Sequence, residues 1–285
     1  MIDIEATLYQ KTKAIIDRYG FSFKKNFGQN FLIDQRVLDK IIAAGDIQAD
    51  DVVLEIGPGI GTLTQAIARK AKTVIAVEID RTLIPLLEDV LSDFDNIRLI
   101  NEDILKVDIK ALSEEYGRPL KIISNLPYYI TTPVIMNILE KEAPVSSIVV
   151  MIQKEVAMRM QAAPGTKDYG SLSVVTAYFA DCYLAANVPR NCFIPRPNVD
   201  SAVISLKPYD KKPYETADRE GFFKFVKAAF SMRRKTLVNC IGSSGDFDLT
   251  KEEFSEILKK AGYDERIRGE ALTLSDFHRI FELMG

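Results

Sequence analysis

Hydrophobic residues occur in short continuous runs from residue 51 onwards, and most of these runs are rich in β-branched side chains. Five of them have the length and composition of strands, at 52–56, 73–77, 97–100, 120–124 and 148–152. Segments of helical length lie between them, such as 62–69 and 81–91. Continuous apolar strands separated by helices are typical of strands buried on both faces of a parallel sheet. The pattern therefore predicts an α/β fold with a doubly wound, mostly parallel sheet.

The alternation of strands and helices ends in the last third of the chain. Two further strand candidates, 182–188 and 201–206, would complete the sheet as an edge hairpin. Beyond Pro208 the strand pattern stops, and helical periods follow at 222–230, 251–261 and 275–283. We therefore expect one α/β domain over residues 1–209 and a small all-helical domain over residues 210–285.

Composition narrows the class of protein. Of the 285 residues, 47% are hydrophobic and 27% are charged, as in ordinary globular proteins. No run approaches the roughly 18 apolar residues of a membrane span, and the first residues lack the layout of a secretory signal. We expect a cytoplasmic protein with no membrane partner. The three cysteines lack a C-x-x-C spacing and His278 is the single histidine, so we expect neither a metal site nor histidine catalysis.

The charge distribution is uneven along the chain. A net charge of −3 argues, taken alone, against a polyanionic partner. Within residues 219–235, however, a single acid, Glu220, accompanies six basic residues: Arg219, Lys224, Lys227, Arg233, Arg234 and Lys235. We call residues 219–235 the basic segment. On charge alone it is either a solvated helix face or a surface that contacts phosphates.

A glycine-rich loop follows the first predicted strand. In an open α/β sheet, ligands bind at the carboxyl ends of the strands, and glycines there allow a tight turn and close approach to a ligand. The spacing is G-x-G-x-G, whereas dinucleotide-binding loops have G-x-G-x-x-G, and Pro58 lacks an N–H that could face a pyrophosphate. The loop therefore suits a nucleoside without phosphates. Its glycines are Gly57, Gly59 and Gly61.

An acidic residue follows each of the next two predicted strands. Glu78 can accept hydrogen bonds from both hydroxyls of a ribose, and Asp103 can accept one from an exocyclic amine. Either residue by itself is equally consistent with a helix cap or a solvated turn. Their position after successive strands, beside the glycine loop, favours a nucleoside pocket.

The fourth predicted strand leads into Asn125, Leu126, Pro127 and Tyr128. The amine of adenine is a poor nucleophile because its lone pair is delocalised into the ring. An Asn side-chain oxygen, together with the backbone carbonyl before a proline, offers two acceptors for the amine hydrogens, and Tyr128 offers a stacking face. A turn built from Asn and Pro around a buried Tyr is the alternative interpretation.

Motifs in a fixed order carry a resemblance to a known family. They begin near Lys24 and are FGQNFL at 27–32, LEIGPGIGTLT at 54–64, VEID at 77–80, DIL at 103–105, NLPYYI at 125–130, FIPRPNVDSAV at 193–203 and RRKTL at 233–237. Together they resemble the ribosomal RNA adenine N6,N6-dimethyltransferases, and among these the bacterial small-subunit branch whose loss gives kasugamycin resistance. Asn198 departs from a common lysine, which concerns only the RNA side.

The resemblance implies a Rossmann-like methyltransferase fold and S-adenosylmethionine as methyl donor, without a metal. It implies that Phe193 stacks on a flipped target adenine opposite Tyr128, with Asn125, Leu126 and Pro127 as the other catalytic residues. The residues that it places around the donor are Asn30, Leu32, Gly57, Gly59, Gly61, Glu78, Asp103 and Asn125.

The substrate implied by the resemblance is a pair of adjacent adenosines in the loop of the 3′-terminal helix of small-subunit (16S) rRNA, within a pre-30S particle. Each would be methylated twice on N6 by a monomeric enzyme that also takes part in 30S biogenesis. Under this hypothesis the basic segment contacts phosphates. Further RNA contacts are expected from Lys24, Lys25, Arg190 and Arg196.

Three other functions remain open. A large-subunit methyltransferase of the erythromycin-resistance type would perform the same chemistry on another RNA, but Leu126 and the motifs at 27–30 and 233–237 favour the small-subunit branch. A non-catalytic 30S assembly factor would bind rRNA without transferring a methyl group. A nicotinamide dehydrogenase conflicts with the glycine spacing and lacks an acid or base for hydride transfer.

Overall fold

The computed structural model describes residues 6–20 and 30–285. The predicted RNA contacts Lys24 and Lys25 lie outside these residues. Two compact units are present: one combines the described residues up to 157 with 183–208, and the other combines 158–182 with 209–285. These units differ from the expected division at residue 209 in one segment, 158–182, which belongs with the C-terminal helices.

The strands are β1 (Phe31–Leu32), β2 (Val52–Ile56), β3 (Thr73–Glu78), β4 (Ile97–Asn101), β5 (Leu120–Asn125), β6 (Val145–Gln153), β7 (Ala180–Val188), β8 (Phe193–Ile194) and β9 (Ser201–Pro208). The helices are α1 (Leu8–Arg18), α2 (Gln35–Gly45), α3 (Thr62–Ala68), α4 (Ile84–Val90), α5 (Ile109–Tyr116), α6 (Thr131–Glu140), α7 (Lys154–Met160), α8 (Ser171–Phe179), α9 (Arg219–Ala229), α10 (Leu237–Gly242), α11 (Lys251–Lys260) and α12 (Leu274–Glu282). None of the helices within residues 6–20 and 30–285 is long and apolar enough to span a bilayer.

Seven strands form the main sheet in the order β4-β3-β2-β5-β6-β9-β7. The five strands from β4 to β6 are parallel, and β9 runs antiparallel to β6. All five residues of β2 are buried, as a central strand covered on both faces requires. The predicted doubly wound, mostly parallel Rossmann-like sheet is confirmed, and β9 and β7 take the last two positions on one side.

A second, two-stranded sheet was not predicted. Strand β1 pairs antiparallel with β8, so that Phe31 lies opposite Ile194 and Leu32 opposite Phe193. A strand of two residues is too short to produce a periodic pattern in the sequence. Leu32 and Phe193 are also 161 positions apart along the chain, and they become neighbours only in the folded structure. This short ladder joins the segment before α2 to the segment before β9.

Aromatic packing explains why residues 158–182 belong to the second unit. The ring of Tyr178 in α8 lies 5.7 Å from that of Phe222 in α9, and the ring of Phe179 lies 5.4 Å from that of Phe223. Phe222 and Phe225 are fully buried. Large apolar rings are stabilised by removal from water, so α8 packs with α9 although strand β9 lies between them in sequence.

Candidate active site

A cavity lies at the carboxyl ends of β2, β3 and β5. Strands β2 and β3 pair residue for residue from Val52 opposite Thr73 to Ile56 opposite Val77, so both end at one edge of the sheet. Parallel neighbours place their following loops together at this edge. The predicted residues that line the cavity are Asn30, Leu32, Gly57, Gly59, Glu78, Asp103, Asn125, Leu126, Pro127 and Tyr128.

The glycine loop has a backbone that other residues adopt with strain. Gly57, Gly59 and Gly61 have φ angles of +69°, +60° and +82°. A Cβ at Gly59 would lie 3.0 Å from the ring of Phe31, and a Cβ at Gly57 would lie 3.4 Å from Pro127. Gly57 and Gly59 line the cavity, whereas Gly61 precedes α3 and approaches Leu91. Gly57 and Gly59 therefore leave a cradle in the cavity wall that is free of side chains.

Glu78 is held against the glycine loop. It is 6% exposed; its Oε1 accepts the N–H of Asp80 at 2.8 Å, and its Oε2 accepts the N–H of Gly59 at 3.4 Å. Burial raises the pKa of this carboxyl above its usual value, although the two N–H groups oppose the rise. The side chain thus has a defined position in the wall of the cavity.

Asp103 lines the cavity and also caps a turn. Its Oδ1 accepts the N–H of Leu105 at 3.0 Å, which starts a 3-10 turn over Ile104–Lys106. The two sequence interpretations of this residue, a cap and a wall of the pocket, are therefore compatible.

Asn125 has a fixed amide orientation. Its Nδ2 donates to the backbone carbonyl of Asn30 at 3.1 Å, which leaves Oδ1 as the acceptor. The following turn is also pinned: the N–H of Leu126 donates to Met151 at 3.1 Å, and the carbonyl of Pro127 accepts from the N–H of Ile130 at 3.2 Å. Asn125 lines the cavity, and its amide oxygen is of the type that accepts a hydrogen bond from an amine.

Comparison with known proteins agrees with this geometry. The model of the family described as Ribosomal RNA adenine dimethylase matches residues 20–284. The chain belongs to this family. The dimethylase is thus an S-adenosylmethionine-dependent rRNA adenine dimethyltransferase, as the sequence motifs implied.

Relatives and solved structures extend over most of the chain. Proteins named Ribosomal RNA small subunit methyltransferase A from Lachnoclostridium phytofermentans and Clostridioides difficile are each 52% identical, over 96% and 94% of this chain and 96% and 93% of theirs. A dimethyladenosine transferase from Plasmodium falciparum superposes with a TM-score of 0.74 at 26% identity, covering 88% of this chain and 95% of its own. The 23S rRNA methyltransferase ErmE gives 0.67 at 27% identity, covering 90% and 99%.

Phe193 is not among the residues that line the cavity. It is 3% exposed, lies opposite Leu32 in the β1–β8 ladder, and belongs to the apolar cluster that includes Val37 and Val203. The fold therefore brings Phe193 beside a predicted cofactor residue, and its stacking on a target base stays a prediction.

The predicted RNA contacts of the dimethylase have varied surroundings. Arg190 donates to the carbonyl of Asn198 at 3.2 Å, and Lys224 pairs with Glu220 at 2.8 Å. Arg233 donates to the carbonyl of Lys167. These three side chains thus have intramolecular partners. Arg219 is half-buried and also has an interaction partner. The remaining predicted RNA contacts within the described residues are exposed; they are Arg196, Lys227, Arg234 and Lys235.

Glu55 was assigned no role from the sequence, yet it lines the cavity. It is 1% exposed, and its Oε2 has no hydrogen-bond partner among the described residues. Burial raises the pKa of Glu55 to about 8, and the nearby Glu78 adds to the rise. The sequence feature that could have identified Glu55 is the presence of one acidic residue inside an otherwise apolar strand. At neutral pH this side chain is therefore largely uncharged.

The raised pKa of Glu55 predicts that the dimethylase loses stability as pH rises. The unfolded chain ionises this carboxyl above its ordinary pKa of 4.5, while the folded chain keeps it protonated up to about pH 8, so stability falls across that interval. From about pH 6 to about pH 8 this amounts to roughly 2 kcal/mol. We expect Glu55→Gln to remove this loss, as measured by urea unfolding at both pH values. The exposed Glu114→Gln is the control, and equal pH slopes for all three proteins would contradict the assignment.

Proposed function

We propose that this enzyme dimethylates the N6 amines of two adjacent adenosines in the loop of the 3′-terminal helix of small-subunit rRNA. It acts as a monomer in the cytoplasm, on a pre-30S particle. The relatives at 52% identity, which match over nearly their whole length, carry the small subunit in their names. The observation that carries the chemistry is that Asn125 lines the cavity while its Nδ2 donates to the Asn30 carbonyl, which leaves Oδ1 as the acceptor.

The residues of the cavity fit S-adenosylmethionine. Two glycines leave a cradle that a Cβ would narrow, and the carboxylate of Glu78 beside it offers acceptors for ribose hydroxyls. Asp103 would accept from the adenine amine of the donor, and the backbone around Asn30 and Leu32 would close the other side. Gly61 would act indirectly, by starting α3 behind the loop. When bound, the cofactor supplies a methyl group activated by a positively charged sulfur.

Asn125 and Leu126 would activate the target amine. The Oδ1 of Asn125 and the carbonyl of Leu126 each accept one N6–H, which draws the lone pair out of the ring and favours the positive charge that develops on nitrogen. Pro127 leaves this turn with one N–H fewer to compete. Its own carbonyl is engaged by Ile130 and by the hydroxyl of Thr131 at 3.2 Å, so the Leu126 carbonyl is the acceptor we assign. The proton released from N6 passes to solvent.

Tyr128 would hold the target adenine in place. A base must leave its stack before its amine reaches a methyl donor, and an aromatic face replaces the lost stacking. Tyr128 lines the cavity directly after the two acceptors. The predicted stacking of Phe193 on the other side of the base would require this ring to leave its buried place opposite Leu32.

Substrate choice is tested by methyl transfer from labelled S-adenosylmethionine to under-methylated small-subunit particles, to large-subunit particles and to naked rRNA, followed by nucleoside analysis. We expect N6,N6-dimethyladenosine in the small-subunit sample alone, because the matching relatives at high identity are small-subunit enzymes. Label on large-subunit particles would favour the erythromycin-resistance type, which the similarity to ErmE keeps as the second candidate. Tight binding of small-subunit particles without label would favour an assembly factor.

Asn125→Ala should separate catalysis from binding. Removal of one acceptor that acts on developing charge is expected to lower the methylation rate by about 100-fold or more, while pre-30S binding stays within a few-fold of wild type. The matched control is Asn137→Ala in α6, which removes an asparagine outside the cavity lining. Comparable rates for the two variants, or loss of particle binding with Asn125→Ala alone, would argue against the assigned role.

The basic segment should make RNA affinity depend on salt. Each phosphate contact that is lost reduces the slope of log affinity against log salt by about one. We expect Arg234→Gln to flatten the slope, and Arg233→Gln also to loosen the loop that its Lys167 contact holds. Arg266→Gln, a charge loss outside the segment, serves as the control. An unchanged slope for Arg234→Gln would mean that the segment is a solvated face.

A further inference from the structure

A hydrogen bond joins two sequence motifs at the edge of the cavity. The hydroxyl oxygens of Tyr128 and Ser201 are 2.6 Å apart. Ser201 is the first residue of β9 and is completely buried. Tyr128 lies in the turn after β5 and is partly exposed on the cavity side. The two residues are 73 positions apart in the sequence, with the whole of β6 between them, yet their hydroxyl oxygens lie at the short end of the hydrogen-bond range.

The register of the sheet places Ser201 beside Tyr128. Strand β6 lies between the other two: Asn125 is opposite Met151 on one side, and Gln153 is opposite Ser201 on the other. Two backbone hydrogen bonds hold β6 to the segments on either side of it. The N–H of Leu126 donates to the carbonyl of Met151 at 3.1 Å, and the N–H of Lys154 donates to the carbonyl of Asp200 at 2.9 Å. A slip of one residue in β9 would turn the Ser201 side chain to the opposite face of the sheet. The contact is therefore a property of the fold and not of a mobile surface.

Burial makes this hydrogen bond necessary to both partners. A hydroxyl that is removed from water without a partner costs free energy, and Ser201 is fully removed. Burial also raises the pKa of Tyr128, so the phenol stays neutral and available as donor or acceptor. With its backbone held in the turn and its hydroxyl held at β9, the ring of Tyr128 has both ends fixed.

We propose that Ser201 is a positioning residue for methyl transfer, whose hydroxyl holds the long axis of the Tyr128 ring in place beside the target adenine. The proposal rests on the assignment of Tyr128 as the stacking face. Stacking requires the ring to lie at a defined place, and a ring whose tip is anchored in advance loses less conformational freedom when the base arrives. Ser201 itself lies outside the cavity lining and acts through Tyr128.

The test compares single-turnover methylation of under-methylated small-subunit particles by wild type, Ser201→Ala, Tyr128→Phe and the double variant. Each variant removes the same hydrogen bond, so we expect each to lower the rate constant at saturating particle by roughly five- to ten-fold, with no further loss in the double variant. Affinity for S-adenosylmethionine, measured by equilibrium dialysis, should stay within about two-fold of wild type, because the cradle is untouched.

Two further variants separate positioning from general stability. Ser205→Ala removes another buried serine from the same strand, four residues from Ser201, and should retain the wild-type rate. Ser201→Thr keeps the hydroxyl and should recover most of the rate. Thermal midpoints and cofactor affinity are measured for all proteins. A rate that is lost through unfolding is recognised by a lower midpoint together with a drop in cofactor affinity.

Specific outcomes would overturn the proposal. Multiplied losses in the double variant would mean that the two hydroxyls act independently, and a rate for Ser201→Ala equal to that of Ser205→Ala would mean that the contact is structural only. Failure of wild type to label small-subunit particles would contradict the proposed substrate instead, and the same variants are then compared on the RNA that is labelled. If wild type labels no RNA at all, both proposals fail.

Discussion

The parallel register of the central strands is the constraint on which the active site depends. Strands β2, β3 and β5 are buried along most of their length, so a slip by one residue would turn each side chain to the opposite face of the sheet and disrupt packing on both faces. Because the register holds, the glycine loop, Glu78 and Asn125 all emerge at one edge of the sheet. The same register, carried through β6 to β9, brings Ser201 to Tyr128.

Contacts between segments distant in the sequence then orient the side chains that the sheet brings to one edge. The β1–β8 ladder brings the backbone around Asn30 against the cavity, and the Asn30 carbonyl fixes the amide of Asn125. This bond uses Nδ2 of the amide as donor, which leaves Oδ1 as the acceptor in the proposed mechanism. The turn after β5 and the strand β9 thus hold the side chains of Asn125 and Tyr128, the proposed activating group and stacking face, through contacts within the fold.

The electrostatic character of the cavity follows from burial. Glu55 and Glu78 both lie in its wall, with pKa values raised because desolvation penalises their charged forms. Glu55 is kept neutral at the expense of stability at high pH, whereas Glu78 is held by two backbone N–H groups. Acids with raised pKa values cluster at functional sites, which is consistent with the cofactor pocket proposed above.

The sequence by itself determined the sheet, the strand-end residues and the family, because apolar runs, glycine spacing and the Asn-Leu-Pro-Tyr turn are local patterns. Tertiary structure alone decided the two-residue ladder, the burial of Phe193, the place of residues 158–182 with the C-terminal helices, and the partners of Arg233 and Ser201. Each of these depends on groups far apart in the chain meeting through strand register or apolar packing. The periodicity of the sequence does not predict these long-range contacts, because they become favourable only when the whole sheet or the aromatic core has formed.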